Sequence, residues 1–348
     1  MNRNSGRIFA IIDGGSSNIR IFLTREELIL SKVCIRRGVI DRVVQRDENI
    51  LFSAVQMALR ESISKLGSKG FKPEDVDFCI ILGMLTSNIG LLDLEHLIVP
   101  VGITELARAL VRKEMPQLLP CPCFFIRGVK NDVRAEKEAR FLRQIDSMRG
   151  EETQTIGILD LLPDLTLPTL IVFLSSHTKY VGVGGQGKIM GTLTTMSGQI
   201  FGAIKKMTYL SRYIPDDNII RLEKINQDDL WEGITAEREA GFLRAIHLPR
   251  FMDVVLNAQI DRCYSTLLGT IIGSDLRAFS FFRETISGKL KSIVFIGNSN
   301  RPVLYRDVFR KEIGQEIPMY TLDEDSLEQA VVHGSISIFK CAEESNFL

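Results

Sequence analysis

Residues 7–24 read RIFAIIDGGSSNIRIFLT, and this stretch decides the fold. Phe9-Ala10-Ile11-Ile12 is an unbroken apolar run, the pattern of a strand buried on both faces. Ile19 to Leu23 is a second β-rich run. Between them lies Asp13-Gly14-Gly15-Ser16-Ser17-Asn18. Gly14 and Gly15 let the backbone turn tightly and approach a ligand closely. The hydroxyls of Ser16 and Ser17 and the backbone amides up to Asn18 suit phosphate oxygens. Asp13, ending the first strand, is placed to hold a hydrated Mg²⁺. An ordinary glycine-rich hairpin would use the same residues.

Leu28 to Ile35 reads as a third strand, and strands joined by such short turns are antiparallel. Ile50 to Leu66 places Leu51, Val55, Met57, Leu59, Ile63 and Leu66 at helical spacing and ends at Gly67. Phe78 to Leu82 is a buried strand closed by Gly83. The order β-β-β-α-β predicts an α/β layer architecture with a helix crossing over between strands. Gly83 to Gly90 (GMLTSNIG) then stands at a strand's C-terminal end, where open α/β sheets bind ligands. Thr86, Ser87 and Asn88 are therefore candidate contacts for a polyhydroxylated ligand; a surface turn is the plain alternative. Further on, Leu97 to Val99 reads as a short strand, Ile103 to Val111 as a helix and Phe124 to Ile126 as a strand. Lys130 to Arg143 is charge-rich and solvated.

Thr169 to Thr194 repeats the N-terminal theme. A strand (Leu170 to Leu174) meets the polar turn Ser175-Ser176-His177-Thr178-Lys179, a returning strand (Tyr180 to Val183) and a third strand (Lys188 to Leu193). A helix follows from Ile200. Two such units, about 160 residues apart, read as an internal duplication. Late in the chain, Lys291 to Ile296 is a strand leading into Gly297-Asn298-Ser299-Asn300, and Pro302 starts a helix. That arrangement predicts a nucleotide-contact loop. Glu316 to Tyr320 is a last strand and Ser326 to Ile338 a last helix.

Met148 to Leu162 (MRGEETQTIGILDLL) carries two carboxylates at a helix start. Glu151 and Glu152 there are favoured by the helix dipole by about 0.3–1 kcal/mol each, which explains them structurally. In the functional reading one of them takes a proton from a substrate hydroxyl while Arg149 positions an anionic substrate. Consecutive helix residues point about 100° apart, so only one of the pair faces a site.

The 348 residues suit two domains, here divided as 1–147 and 148–348. Lys+Arg and Asp+Glu balance at 43 each, which gives no electrostatic case for nucleic acid or an anionic membrane. No apolar run approaches the roughly 20 residues of a membrane helix, and the first strand is not a signal-peptide core, so a cytoplasmic location is expected. A homodimer is compatible with the sequence. Six cysteines make no disulfide framework. Cys34, Cys79 and Cys263 read as reduced core thiols, and Cys121-Pro122-Cys123 lacks a second cluster at metal-ligand spacing.

The paired β-β-β units with phosphate-type turns resemble the two-lobed actin-like ATPase fold (ribonuclease H-like), each lobe with a β-β-β-α-β-α core. More narrowly, the chain resembles the 2-dehydro-3-deoxygalactonokinase family. The matching segments are DGGSSNIR (13–20), GMLTSNIGL (83–91), MRGEETQ (148–154) and LSSHTKY (174–180). They correspond to that family's DWGTTNxR, GMxGSxxGW, MRGEETQ and PGTHSKW. Gly14 replaces an aromatic, Tyr180 replaces Trp, Leu174-Ser175 stands for Pro-Gly, and Ser197-Gly198-Gln199 for Thr-Gly-Glu. The resemblance implies ATP-dependent phosphorylation of the terminal hydroxyl of 2-dehydro-3-deoxygalactonate. It implies ATP and Mg²⁺ as cofactors, with Asp13 on the metal. Gly14 to Asn18 and Ser175 to Lys179 would take phosphates, and Gly297, Asn298 and Ser299 the adenosine. Arg20, Ser87, Asn88 and Arg149 would take the sugar acid, with Glu151 or Glu152 as base. A kinase for another sugar acid and a non-catalytic ligand sensor are the other readings.

Overall fold

The computed structural model describes residues 6–67, 70–132, 139–217, 219–283, 289–298 and 300–348. They divide into two compact units: Met1–Leu165 with Gly187–Ile189 and Leu327–Leu348, and Thr166–Gln186 with Met190–Ser326.

In the first unit, β1 (Ile8–Gly14), β2 (Ile19–Arg25) and β3 (Leu28–Ile35) form an antiparallel meander. Two helices follow, α1 (Val39–Gln45) and α2 (Ile50–Gly67). Of the periodic apolar positions of α2, Leu51, Val55 and Leu59 are buried, packed with Ile8, Ala10 and Ile12 from one face of β1, and Ile63 and Leu66 are partly buried; Met57 is exposed, because it lies on the opposite face of the helix. β4 (Phe78–Gly83) runs parallel to β1, and the two end level, Gly14 beside Gly83. The remaining elements are β5 (Leu97–Ile98), α3 (Ile103–Arg108), β6 (Val111–Glu114), β7 (Pro122–Phe125), β8 (Val129–Lys130), β9 (Ser147–Met148) and α4 (Glu151–Leu161). The main sheet has the order β3-β2-β1-β4-β7-β6, and β5-β8-β9 form a small second one.

The second unit repeats the plan. β10 (Thr169–Leu174), β11 (Thr178–Val183) and β12 (Ile189–Thr195) precede α5 (Ser197–Met207), α6 (Gln227–Ala240), α7 (Phe242–Ala245), α8 (Leu248–Leu256) and α9 (Ile260–Arg283). Then come β13 (Ser292–Gly297), α10 (Arg301–Ile313) and β14 (Met319–Leu322). The sheet order is β12-β11-β10-β13-β14, with β13 parallel to β10 and Leu174 beside Gly297. This matches β3-β2-β1-β4-β7 strand for strand, as the duplication in the sequence predicts. Gly269 on α9 sits against the Leu230 carbonyl of α6, where a Cβ would come within 1.9 Å of oxygen; the small residue serves close helix packing.

The last helix, α11 (Glu324–Glu344), returns to the first unit. Phe339 meets Phe9, Phe78 and Phe124 with ring centroids 5.5, 4.6 and 5.1 Å away, covering the second face of β1. Gly157 of α4 packs on the Ala330 carbonyl and Gly334 on the Thr153 carbonyl, each so close that a Cβ would stand 1.9 Å from oxygen. This contact corrects the expected boundary at residue 148: α4 belongs with the N-terminal unit. The helix expected up to Val111 ends at Arg108, because Val111–Glu114 pairs with Pro122–Phe125 instead. Cys34 is exposed on the sheet-edge strand β3, not in the core, while Cys79 and Cys263 are buried; all six thiols are free. Part of the charge-rich 130–143 stretch, residues 133–138, lies outside the described residues. No described helix is long and apolar enough to cross a membrane.

Candidate active site

Three distant segments of the first unit converge where β1 and β4 end. Asp13 is buried, and its Oδ2 accepts from Arg20 Nη2 at 2.6 Å. The Asp13 charge holds the Arg20 guanidinium above its ordinary pKa. On the other side, Oδ1 faces two glycines. A Cβ on Gly83 would lie 2.8 Å from it, and one on Gly150 3.8 Å. Both glycines have positive φ, +71° and +109°, which lets the backbone pass this close.

Gly150 caps α4, so the two glutamates follow at once. They face different ways. Glu152 is fully buried and folds back so that both oxygens accept from Gly150 N–H, at 2.8 and 2.9 Å. Burial pushes its carboxyl up to about 7, with the Glu151 charge adding to the effect. Glu151 is half-exposed. Arg149 is half-buried and held by neutral groups. Nη1 donates to Thr86 Oγ1 at 2.9 Å, Nη2 donates to the Leu94 carbonyl, and His96 Nδ1 lies 3.4 Å from Nη2. Burial holds its pKa below the ordinary value. Thr86 in turn donates to the Gly83 carbonyl, so the 83–90 loop orients Arg149. Ser87 is buried and donates to the Met84 carbonyl, closing that loop, whereas Asn88 is exposed.

The first turn is closed by Gly15 N–H donating to the Asn18 carbonyl, and it presents Ser17 and Asn18 to solvent. The start of α1 locks it. Val39 and Ile40 donate to the carbonyls of Gly15 and Ser16, and Gly38 packs on Ser16 so tightly that a Cβ would sit 2.3 Å from its oxygen. Gly14 is buried beneath Leu85, whose Cγ would be 2.3 Å from a Cβ there.

In the second unit, Ser175 and Ser176 are exposed at the turn after β10. Ser175 N–H donates to the His177 carbonyl, and Ser176 Oγ lies 3.2 Å from His177 Nδ1. Thr178 and Lys179 are instead buried on β11, and the Thr178 hydroxyl accepts from Ser197 Oγ at 2.8 Å. Gly297 is buried beside Leu174, and Asn298 is exposed after it; Ser299 lies outside the described residues. Arg301, the first residue of α10, donates to the Ser175 carbonyl at 2.7 Å, so the polar turn and the Gly297 loop are tied together. Asn300 Nδ2 donates to the carbonyl of Ile220, the residue before Arg221, which lines a cavity of about 220 Å³. Arg212, Arg221, Lys224, Tyr213, Tyr264 and Ile260 are among the residues lining it. Burial pushes the Tyr264 hydroxyl up to about 12.

Sequence reasoning missed this cavity and also a buried polar cluster around Asp275. Thr195 Oγ1 donates to Asp275 Oδ1 at 2.5 Å, Tyr305 Oη donates to Oδ2 at 2.6 Å, and Tyr180 Oη donates to the Asp275 carbonyl at 2.9 Å. One signal was present: an aspartate inside the apolar run LLGTIIGSDL must find partners once buried.

The family model for 2-keto-3-deoxy-galactonokinase matches residues 13–334. Among solved structures, a candidate 2-dehydro-3-deoxygalactonokinase from Sinorhizobium meliloti is similar at 19% identity, with a TM-score of 0.70 over 97% of this chain and 99% of that one. The activator of 2-hydroxyisocaproyl-CoA dehydratase from Clostridium difficile is similar at 13% identity and a TM-score of 0.47, over 97% of each chain. Acetate kinase from Entamoeba histolytica is similar at 8% identity and a TM-score of 0.48, over 94% of this chain and 98% of that one. No curated protein matches the chain. The fold is α/β, two units with matching strand order, and it is shared with the Sinorhizobium meliloti protein.

Proposed function

Since the chain belongs to the 2-keto-3-deoxy-galactonokinase family, whose members are phosphotransferases with an alcohol acceptor, we propose that it moves the γ-phosphoryl of ATP to the terminal hydroxyl of a 2-keto-3-deoxy sugar acid. The observation that carries this reading is the junction at Gly83 and Gly150. There three segments of the chain come together: Asp13, the loop with Gly83 and Thr86, and Arg149 with the start of α4.

Glu151 is the base in this reading. It is half-exposed, whereas both oxygens of Glu152 are occupied by the Gly150 amide. Glu151 takes the proton of the acceptor hydroxyl as its oxygen attacks the γ-phosphorus. The bond from that phosphorus to the bridging oxygen breaks, and ADP leaves. Arg149, oriented by Thr86 and Leu94, pairs with the acceptor's carboxylate, and Asn88 contacts its hydroxyls. Ser87 shapes this loop, and Arg20 acts through Asp13.

The residues at Asp13 fit a hydrated divalent cation. Asp13 Oδ1, a hard carboxylate oxygen flanked by Gly83 and Gly150, is the atom that would meet the ion through its water shell. Mg²⁺ bound there would neutralise phosphate charge. In this reading the phosphate donors of the first unit are the amides of Ser16 to Asn18, since Gly15 N–H is taken by the Asn18 carbonyl; those of the second unit are in the turn Ser175 to His177. The nucleoside lies along Gly297 and Asn298 toward the cavity at Tyr264.

Coupled-assay ADP release with Mg-ATP against a panel of 2-keto-3-deoxy acids and related aldonic acids tests the reading. Acceptor-dependent turnover on 2-dehydro-3-deoxygalactonate is expected. ATP binding with silence across the whole panel would overturn it.

A further inference from the structure

We propose that Asp275 is a positioning residue for the Ser175–Lys179 turn, and that its carboxylate sets how tightly this unit holds the phosphates of a nucleotide. The inference rests on reading that turn as a phosphate contact.

Asp275 lies on α9 and meets the turn only at Thr178, whose hydroxyl faces its carboxylate. It acts further through the starts of two other helices. Thr195, which donates to Oδ1, ends β12, and its hydroxyl lies 2.9 Å from Ser197 Oγ at the start of α5. Ser197 donates to Thr178, the first residue of β11, where the turn becomes strand. The next residue, Gly198, packs on the Ser175 and Ser176 carbonyls, where a Cβ would stand 2.3 and 2.7 Å from oxygen. Tyr305, which donates to Oδ2, is on α10, and the Arg301 guanidinium lies over its ring at 5.9 Å. Arg301 itself donates to the Ser175 carbonyl. One carboxylate therefore joins both grips on the turn.

The geometry supports a carboxyl hub. Distances of 2.5 and 2.6 Å are those of hydroxyls donating to a carboxylate. Asp275 is only 1% exposed, and the side chains facing it are hydroxyls: Thr195, Tyr305, Ser197 and Thr178. A hydroxyl network of this kind is stiff only while every member is satisfied. The turn of the first unit is clamped differently, by backbone bonds from Val39 and Ile40.

The test is calorimetric binding of ADP and of adenosine to the full chain and to Asp275→Asn, Thr195→Val and Tyr305→Phe. ADP affinity is expected to fall about tenfold in Asp275→Asn and Thr195→Val, with less effect in Tyr305→Phe, while adenosine affinity stays constant. The double variant Asp275→Asn/Thr195→Val should bind ADP no worse than either single one, because both break the same link. Equal losses for ADP and adenosine, or no loss at all, would overturn the proposal. Should Asp275→Asn not fold, Thr195→Val decides alone. A wild-type chain that binds neither ligand removes the nucleotide-binding reading itself, a result distinct from failure of the hub.

Discussion

Asp13 and Arg20 are joined twice, as register partners across β1 and β2 and by a 2.6 Å bond between guanidinium and carboxylate. The turn between them is thereby anchored at both ends. Removing the cation strands a charge on an aspartate that is 3% exposed. Arg20→Met should therefore cost about 2 kcal/mol in urea unfolding, less than for a wholly buried pair because a quarter of the Arg20 side chain is exposed. Asp13→Asn keeps the shape and should instead lower kcat by roughly 10²-fold or more, measured by ADP release.

The two glutamates separate by kinetics. Glu151→Gln should reduce kcat by about 10² to 10⁴-fold with little change in KM for ATP. Glu152→Gln still offers an oxygen to Gly150 N–H and should retain most turnover. The opposite ranking in the coupled assay would assign the base to Glu152.

Glu152 also gives a pH signature. Its folded-state pKa of about 7 lies above the ordinary 4.5, so the folded chain keeps a proton that the unfolded chain has released. The stability from this group is complete below about pH 4.5 and is lost as pH rises through about 7. The loss is on the order of 3 kcal/mol. Thermal melts between pH 5 and 8 should show this decline in the wild type and a flatter profile in Glu152→Gln. Parallel profiles would count against it.

Gly83→Ala puts a Cβ 2.4 Å from the Gly14 carbonyl and 2.8 Å from Asp13 Oδ1, at a residue whose φ is +71°. A loss of about 2–3 kcal/mol is expected, with kcat falling further than the lost folded fraction explains. Melting curves and ADP release on the same preparation check both.

Much of the fold was legible because its decisive parts are contiguous. The run IFAII, the turn DGGSSN and the helix start MRGEETQ each carry their signal within a few residues, and the β-β-β theme occurs twice. What escaped depends on partners far apart in the chain. β6 is a strand only because Pro122–Phe125 pairs with it. The Asp275 cluster draws Thr195, Ser197, Thr178 and Tyr305 from four elements, and no local period announces such a meeting. The departures from the family pattern become intelligible in space. Leu85 fills the room above Gly14, while Tyr180 and Ser197 both belong to the Asp275 cluster.

The return of α11 to the N-terminal unit sets an order of events during synthesis. Phe9, Phe78 and Phe124 leave the ribosome long before Phe339, the ring they share, and the small-residue seat of α4 waits for Ala330 and Gly334. A nascent chain halted near residue 320 would hold every side chain of the Asp13 and Glu151 site without the helix that fixes it. Completion of the first-made unit is thus deferred until the second has been translated, and a partly made chain is kept from acting as a half-enzyme.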